Sequence, residues 1–236
     1  MTVSAYFLRD GKITTVHRSI PETPQIATEA LKQLLMGPTD DEKKAGLSTS
    51  IPDATVVLGL SIADKIATVN LSSDFGQSSD TQSLTERLAQ VVYTLTQFST
   101  VTTVSFQLDG DDINKIGSVG LPLPKPVGRS DYESVTPAIF VDSPAPGDTV
   151  STPLRLIGTA NTFEAAFTIV IVDAQNNVLT EQHAQSSSGS GTRGTFNLTV
   201  PYKVTKQQPG KVVLFDVSAK DGSQADQVVI PVTLMP

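Results

Sequence analysis

Apolar residues between Leu84 and Phe98 recur at helical spacing: Leu84, Leu88, Val91, Val92, Leu95 and Phe98 fall on one stripe. That pattern predicts an amphipathic helix of about four turns. The period then changes. Val104, Phe106 and Leu108 alternate with Thr103, Ser105 and Gln107, which predicts a strand with one buried face, ended by Asp109-Gly110. Upstream, Val3, Ala5 and Phe7 alternate with polar neighbours, Asp10-Gly11 signals a two-residue hairpin, and Ile13, Thr15 and His17 follow on a second strand. Thr23-Pro24 reads as the N-cap and first position of a helix whose apolar face is Ile26, Ala27, Ala30, Leu31, Leu34 and Leu35. Gly37-Pro38 stops it, and the polar run Thr39 to Ser50 reads as a loop. Val56, Leu58, Leu60 and Ile62, then Ala67, Val69 and Leu71, alternate as a second hairpin turning at Asp64-Lys65. Ser79 with Gln82, or Ser83 with Glu86, offers a capping box for the long helix. The order β-β-α-β-β-α-β predicts an α+β domain with its helices on one face of the sheet.

From Leu121 to Pro137 periodicity is lost, and prolines at 122, 124 and 126 favour a stiff, extended path. The expected division is a first domain over 1–125, a linker over 126–136 and a second domain over 137–236. In the second, strand-like runs occupy Ala138–Asp142, Leu154–Gly158, Phe167–Asp173, Val178–Gln182, Thr195–Val200, Val212–Ala219 and Val228–Leu234. Turn signals at Pro144–Gly147, Asn176-Asn177, Ser186–Gly194 and Asp221-Gly222 separate them. Short strands at this density predict an all-β immunoglobulin-like sandwich, without the Cys–Trp–Cys signature of antibody domains.

Charge and composition narrow the function. The chain carries 17 Lys+Arg against 24 Asp+Glu, a net charge of -7. Over residues 1–130 the counts are 11 and 14, and over 131–236 they are 6 and 10. Neither half is basic, so neither has the electrostatic footprint for nucleic acid or anionic lipid. The sequence has no cysteine, which excludes disulfides, cysteine nucleophiles and Cys-type zinc sites. No apolar run reaches the length of a membrane helix. Met1 leads directly into strand-like sequence, with no signal peptide in view.

Several stretches resemble known bacterial families. Leu34-Leu-Met-Gly-Pro38, Gly46-Leu-Ser-Thr-Ser-Ile-Pro52, Ala67-Thr-Val-Asn-Leu-Ser72 and Val91–Phe98 through Val104 to Gly110 resemble a GerMN domain, named from sporulation and spore-germination proteins. Pro137–Gly147, Gly158–Ala165 and Ser218-Ala-Lys-Asp-Gly222 resemble the immunoglobulin-like domain of bacterial spore germination. Arg129-Ser-Asp-Tyr132 fits the usual junction between them. The sequence departs from the pattern at Asp64-Lys65, where Asp-Gly is expected, and at Asn70, where Asp is commoner. The resemblance implies an extracytoplasmic protein without known catalysis, anchored as a lipoprotein by a targeting segment outside this sequence. Some GerMN domains resemble ring-building motifs of envelope assemblies.

Candidate chemistry is sparse. Gly189-Ser-Gly-Thr-Arg-Gly194 matches G-x-G-x-x-G, but a serine run precedes it and a strand follows, so it reads as a loop rather than a nucleotide fingerprint. Asp109, Asp111, Asp112 and Asn114 cluster after a strand without EF-hand spacing. His17 and His183, the only histidines, fall in expected exposed strands, and no G-x-S-x-G elbow is present. Asn70-Leu-Ser72 and Asn197-Leu-Thr199 are glycosylation sequons by pattern but lie in strands. Glu164 lies in Thr-Phe-Glu-Ala-Ala-Phe, an apolar context in which a carboxylate is expected to accept backbone N–H bonds, with ligand recognition as the alternative. Glu164, Arg129, Asp131 and Tyr132 are therefore the structural or recognition candidates, and no catalytic, cofactor or metal residue is assigned. The expected role is a non-catalytic scaffold or interaction protein of the envelope. It would act on other envelope proteins, with weak self-assembly, through sheet edges, hairpins or packed domain faces. The alternative is a module binding cell-wall glycan or peptide, which the scarcity of aromatics disfavours.

Overall fold

In the computed structural model, which describes residues 1–124, 126–218 and 222–236, β1 (Thr2–Arg9) and β2 (Lys12–Ser19) form the hairpin that Asp10-Gly11 predicts. Both turn residues take positive φ, 52° and 71°, the pairing whose twist matches the flanking strands. Helix α1 (Ile26–Leu35) begins later than Thr23-Pro24 suggests. Thr23 Oγ1 accepts the Gln25 N–H at 3.1 Å in a turn ahead of the helix, and Gln25 at the N-cap supplies no side-chain cap.

The expected loop Thr39–Ser50 contains two elements. Helix α2 (Asp40–Lys44) carries a capping box between Thr39 and Glu42, and β3 (Leu47–Ser48) pairs with Leu8 and Arg9 of β1. No residue of α2 is buried, so it has no apolar stripe to betray it. Arg18 on β2 holds α2 in place, donating to Glu42 Oε1 and Oε2 at 2.5 and 2.7 Å.

The next strands are β4 (Val57–Ala63), β5 (Ile66–Leu71), β6 (Thr103–Leu108) and β7 (Asp111–Asp112), hydrogen-bonded in that order. β5 and β6 run parallel, with α3 (Thr81–Leu95) as their crossover; β4 and β7 are antiparallel to their neighbours. A small ladder joins β8 (Lys115–Ile116) to β9 (Leu121–Pro122). The strands thus divide into separate sheets, β2-β1-β3 and β4-β5-β6-β7, rather than one sheet with helices on a single face. Helix α3 packs against α1, β1, β2 and β6. Arg87 to Leu95 are all buried, so the apolar stripe understates its enclosure. Asp80 caps it, accepting from the Gln82 and Ser83 N–H groups at 3.3 and 2.9 Å. That geometry displaces the capping boxes expected from Ser79 or Ser83, because a carboxylate nearer the helix start reaches the same donors.

Residues 126–136 do not form a linker. Val127 bridges to Val104, a 3-10 segment runs Arg129–Val135, and Val127, Tyr132, Val135 and Thr136 are buried. The chain divides into compact units Met1–Thr136 and Pro137–Pro236. Proline removed the periodicity that would have marked this segment as packed.

The second unit is a sandwich of two sheets. One contains β10 (Ile139–Ser143), β12 (Leu154–Ala160) and β15 (Gly194–Val200). The other is ordered β11 (Thr149–Val150), β17 (Gln224–Leu234), β16 (Gln208–Val217), β13 (Ala166–Asp173) and β14 (Val178–Gln185). β11 falls between the expected turn Pro144–Gly147 and the expected strand from Leu154; it pairs in parallel with the end of β17. Ile139, Leu156, Ile169, Ile171, Val212, Leu214 and Leu234 are among the residues filling the core. Tyr202 closes one end, its hydroxyl donating toward the Val150 and Met235 carbonyls at 2.7 and 2.8 Å. The end of the expected strand Val212–Ala219, the turn Asp221-Gly222 and the middle of the Ser218–Gly222 motif fall on Ala219, Lys220 and Asp221, outside the described residues.

Candidate functional site

Polar residues of α3 and its C-terminal turn face inward and make long-range bonds within the first unit. Gln97 Nε2 donates to the Ser4 carbonyl at 2.7 Å, and Gln97 Oε1 accepts the Ser4 N–H at 2.8 Å. One side-chain amide thus replaces the neighbouring strand that β1 lacks at this position. Gln90 continues the arrangement. Its Nε2 donates to the Tyr6 carbonyl at 3.0 Å, while its Oε1 accepts from Thr49 Oγ1 and the Ser50 N–H at 3.2 and 3.0 Å. β3 takes over at Leu8 and Arg9. The outer edge of β1 is engaged at Ser4, Tyr6, Leu8 and Arg9, which blunts a template for pairing with other chains. Two glutamines seven residues apart in an apolar run, one helical face, were the available signal. Buried Arg87 reaches the Phe75 carbonyl at 2.6 Å; desolvation lowers its pKa from the usual guanidinium value.

Arg129, Asp131 and Tyr132 come together as a clasp on α3. The Arg129 guanidinium lies 4.5 Å from the Tyr93 ring centroid and 5.4 Å from that of Tyr6. Its Nε donates to Thr96 Oγ1 at 2.9 Å, and Nη2 donates to the Tyr93 carbonyl at 3.3 Å. Asp131 Oδ2 accepts the Gly128 N–H at 2.7 Å and shapes the turn carrying Arg129. Tyr132 is buried, and that desolvation, with a smaller push from the Asp131 charge, raises its phenol above the ordinary range. Thr136 Oγ1 donates to the Tyr132 carbonyl at 2.9 Å and lies 2.7 Å from the Tyr93 hydroxyl. These groups satisfy one another and present no reactive atom.

Glu164 stands apart from them, in the second unit. It is exposed, with φ of 54° next to Ala165 at 61°. Its own backbone N–H donates to Ser190 Oγ at 3.0 Å, and the residue sits exposed in a turn rather than in the apolar surroundings its neighbours suggest. The glycine-rich loop explains that turn. A Cβ on Gly189 would come within 2.4 Å of the Ala165 nitrogen, so only glycine permits the approach. Arg193, in the same loop, donates to the Pro137 carbonyl at 2.8 Å and fastens the start of the sandwich. A shallow groove of about 600 Å³ beside the turn is lined by Phe163, Glu164, Phe167, His183 and Asp216, among others. His183 Nδ1 lies 3.0 Å from Thr168 Oγ1, and Asp216 accepts the Val217 N–H at 2.7 Å. In the first unit, Asp109 Oδ1 accepts the Ser73 N–H and Asp112 Oδ1 accepts from Gln107 Nε2. Asn70 Oδ1 accepts the Gly110 N–H at 2.9 Å.

Comparison with known proteins matches both units. Residues 4–114 match the family described as sporulation and spore germination, and residues 138–223 match the immunoglobulin-like domain of bacterial spore germination. The chain is a GerMN domain followed by that immunoglobulin-like domain. Among solved structures, the first GerMN domain of the sporulation protein GerM from Bacillus subtilis is 23% identical; the alignment covers 56% of this chain and 99% of that one, with TM-score 0.49. The tandem GerMN domains of the same protein align at 15% identity over 100% of this chain and 60% of that one, TM-score 0.48. A Clostridium perfringens chain described as a lipoprotein aligns at 22% identity over 58% of this chain and 92% of that one, TM-score 0.42. No curated protein matches the sequence.

Among the described residues of the first unit, the outer sides of β2, β4 and β7 pair with no strand. β4 ends its sheet. Leu60 and Ile62 share a face with buried Val69 and Ala67 of β5 but overhang the sheet's margin. Val56, Leu58 and Ile62 are 54%, 51% and 41% exposed. Alternation predicted a buried face; edge position left it half open. No residue from Ala54 to Ala63 is charged.

Proposed function

We propose that this protein is a non-catalytic scaffold or interaction component of the bacterial cell envelope, acting outside the cytoplasm by binding other proteins. The observation carrying this reading is how polar and apolar groups are distributed. Arg87, Gln90, Gln97, Arg129 and Arg193 all engage backbone groups inside their own units. Large apolar side chains, by contrast, stand exposed at Leu58 and Ile62 of β4 and at Val56 just before it. Chemistry needs converging reactive groups, whereas protein contact uses exposed apolar surface. The pairing of two germination-associated domains is consistent with an envelope setting, and no helix among the described residues is long and apolar enough to cross a membrane.

Co-purification from solubilised envelope, run beside sedimentation with isolated cell wall, tests the reading. Specific protein partners that are lost with Leu58→Lys/Ile62→Lys support it. Sedimentation with wall alone, unaffected by those changes, would transfer the role to glycan or wall-peptide binding.

A further inference from the structure

We infer that the groove beside the Phe163–Ala165 turn of the second unit is a receptor for an arginine side chain, presented by an extended segment of a partner protein. The inference rests on the reading of this chain as an interaction component. It adds to that reading a contact surface that does not involve β4.

Strand pairing builds the groove. β13 lies between β14 and β16, with Thr168 opposite both His183 and Phe215. The turn that leads into β13 therefore meets the end of β14 on one side and the end of β16 on the other, and all three line the groove. Asp216 ties the turn down. Its Oδ2 accepts the Phe163 N–H at 3.4 Å, and its Oδ1 accepts the Val217 N–H at 2.7 Å. Glu164 and Ala165 both take left-handed φ, a conformation that costs energy in any residue with a Cβ. Strained backbone of this kind persists where its surroundings impose it, and it gathers at ligand clamps. The apolar surface is concentrated at the same place. Among the described residues of the second unit, the large apolar side chains left exposed are Phe163, Val178 and Val217. Phe163, 55% exposed, and Val217, 45% exposed, both line this one groove.

Charge decides what the groove accepts. Its titratable side chains are Glu164, Asp216 and His183, and no lysine or arginine lines it among the described residues. His183 Nδ1 is engaged with Thr168 Oγ1. The Glu164 carboxylate makes no hydrogen bond or ion pair among the described residues. Asp216 uses its oxygens on two backbone N–H groups, and a carboxylate can accept more. A ligand must therefore be cationic at one end, apolar along its stem and able to lie against an aromatic ring. Arginine meets all three conditions. Its methylenes cover apolar surface such as Phe167 and Val217. Its planar guanidinium stacks on Phe163 and donates in pairs to a carboxylate. Lysine brings a compact charge that stacks less well. The volume of about 600 Å³ lies within the roughly 300–1,000 Å³ of ordinary ligand sites, so neighbours of the arginine fit as well. Residues 131–236, with 6 basic and 10 acidic side chains, supply a field that favours a cation.

Amide-resolved NMR titration of the full chain tests the site. The probe is a capped pentapeptide with one arginine between two valines and a serine at each end. Its control carries citrulline, which keeps the shape of arginine and removes the charge. The arginine peptide should shift the amides of Phe163, Glu164, Thr168 and Val217 at millimolar concentration. It should bind about fivefold more tightly than the citrulline peptide, the upper end for an exposed ion pair. Glu164→Gln should weaken the arginine peptide by the same factor and leave the citrulline peptide unchanged. Phe163→Ser should weaken the arginine peptide too. Both side chains are exposed, so thermal melts of the two variants should match the parent. Equal affinity for the two peptides, shifts confined to residues outside the groove, no shift at all, or full affinity in Glu164→Gln would overturn the inference. Failure here with envelope partners still recovered removes the arginine site and leaves the interaction role; peptide binding without envelope partners does the reverse.

Discussion

At the scale of single residues, Arg129 and Glu164 exchange the importance their sequence contexts suggest. Arg129→Ala should lower stability by about 2 kcal/mol, through lost ring stacking and hydrogen bonds. Arg129→Lys should recover less than half, because an ammonium cannot lie flat between two tyrosines while donating to Thr96. Thermal melts of the two variants check both statements. Glu164→Ala should change stability by no more than about 0.5 kcal/mol, and Glu164→Gly should raise it by up to about 1 kcal/mol by relieving a left-handed backbone. A large loss with Glu164→Ala would restore the carboxylate to a structural role. Arg129 was unreadable in sequence because its partners stand far away, Thr96 at 33 positions and Tyr6 at 123. Glu164 misled because apolar neighbours imply burial only when their element faces the core. Here they belong to a turn that Gly189 allows to fold tightly.

At the scale of elements, what periodicity can report was read correctly: the two hairpins, the long helix, the alternation of β5 and β6, and most strands of the sandwich. What it missed has one of two causes. Helix α2 buries no residue and leaves no stripe. The cover on β1 comes from side-chain amides, which carry no strand pattern. Gln97→Ala should cost about 1–3 kcal/mol, by leaving the Ser4 N–H and C=O without partners, and should accelerate hydrogen exchange at the Ser4 amide. An unchanged exchange rate would mean that β1 does not rely on Gln97. The Arg18–Glu42 pair predicts a pH response. Burial, the largest single influence, pushes the Glu42 carboxyl up, but the bonds from Arg18 and Thr39 together outweigh it, and its pKa lies below the usual 4.5. A depressed folded pKa means the pair's contribution is fully present above that value and is lost as pH falls through the lower, folded one. Glu42→Gln should therefore destabilise at neutral pH and lose its deficit in acid. Paired melts across that window read the difference.

At the scale of the whole molecule, the division at Thr136/Pro137 replaces a boundary near residue 125. We expect residues 1–136 and 137–236 to melt cooperatively as separate fragments. A fragment ending at residue 125 should be markedly less stable, since it lacks the clasp on α3 and buried Val127, Tyr132 and Val135. Equal melting of the shorter and longer N-terminal fragments would mean that the clasp contributes nothing to the fold. The cover on β1 also has a consequence in time. A nascent chain emerges from its amino terminus, so the first strand exists long before its protection does. Ser4 must wait for Gln97, 93 positions later, and contacts of such long range form slowly. Until then the newborn hairpin has a bare flank. Chains released before residue 98 should aggregate during synthesis, whereas chains released after Thr136 should not.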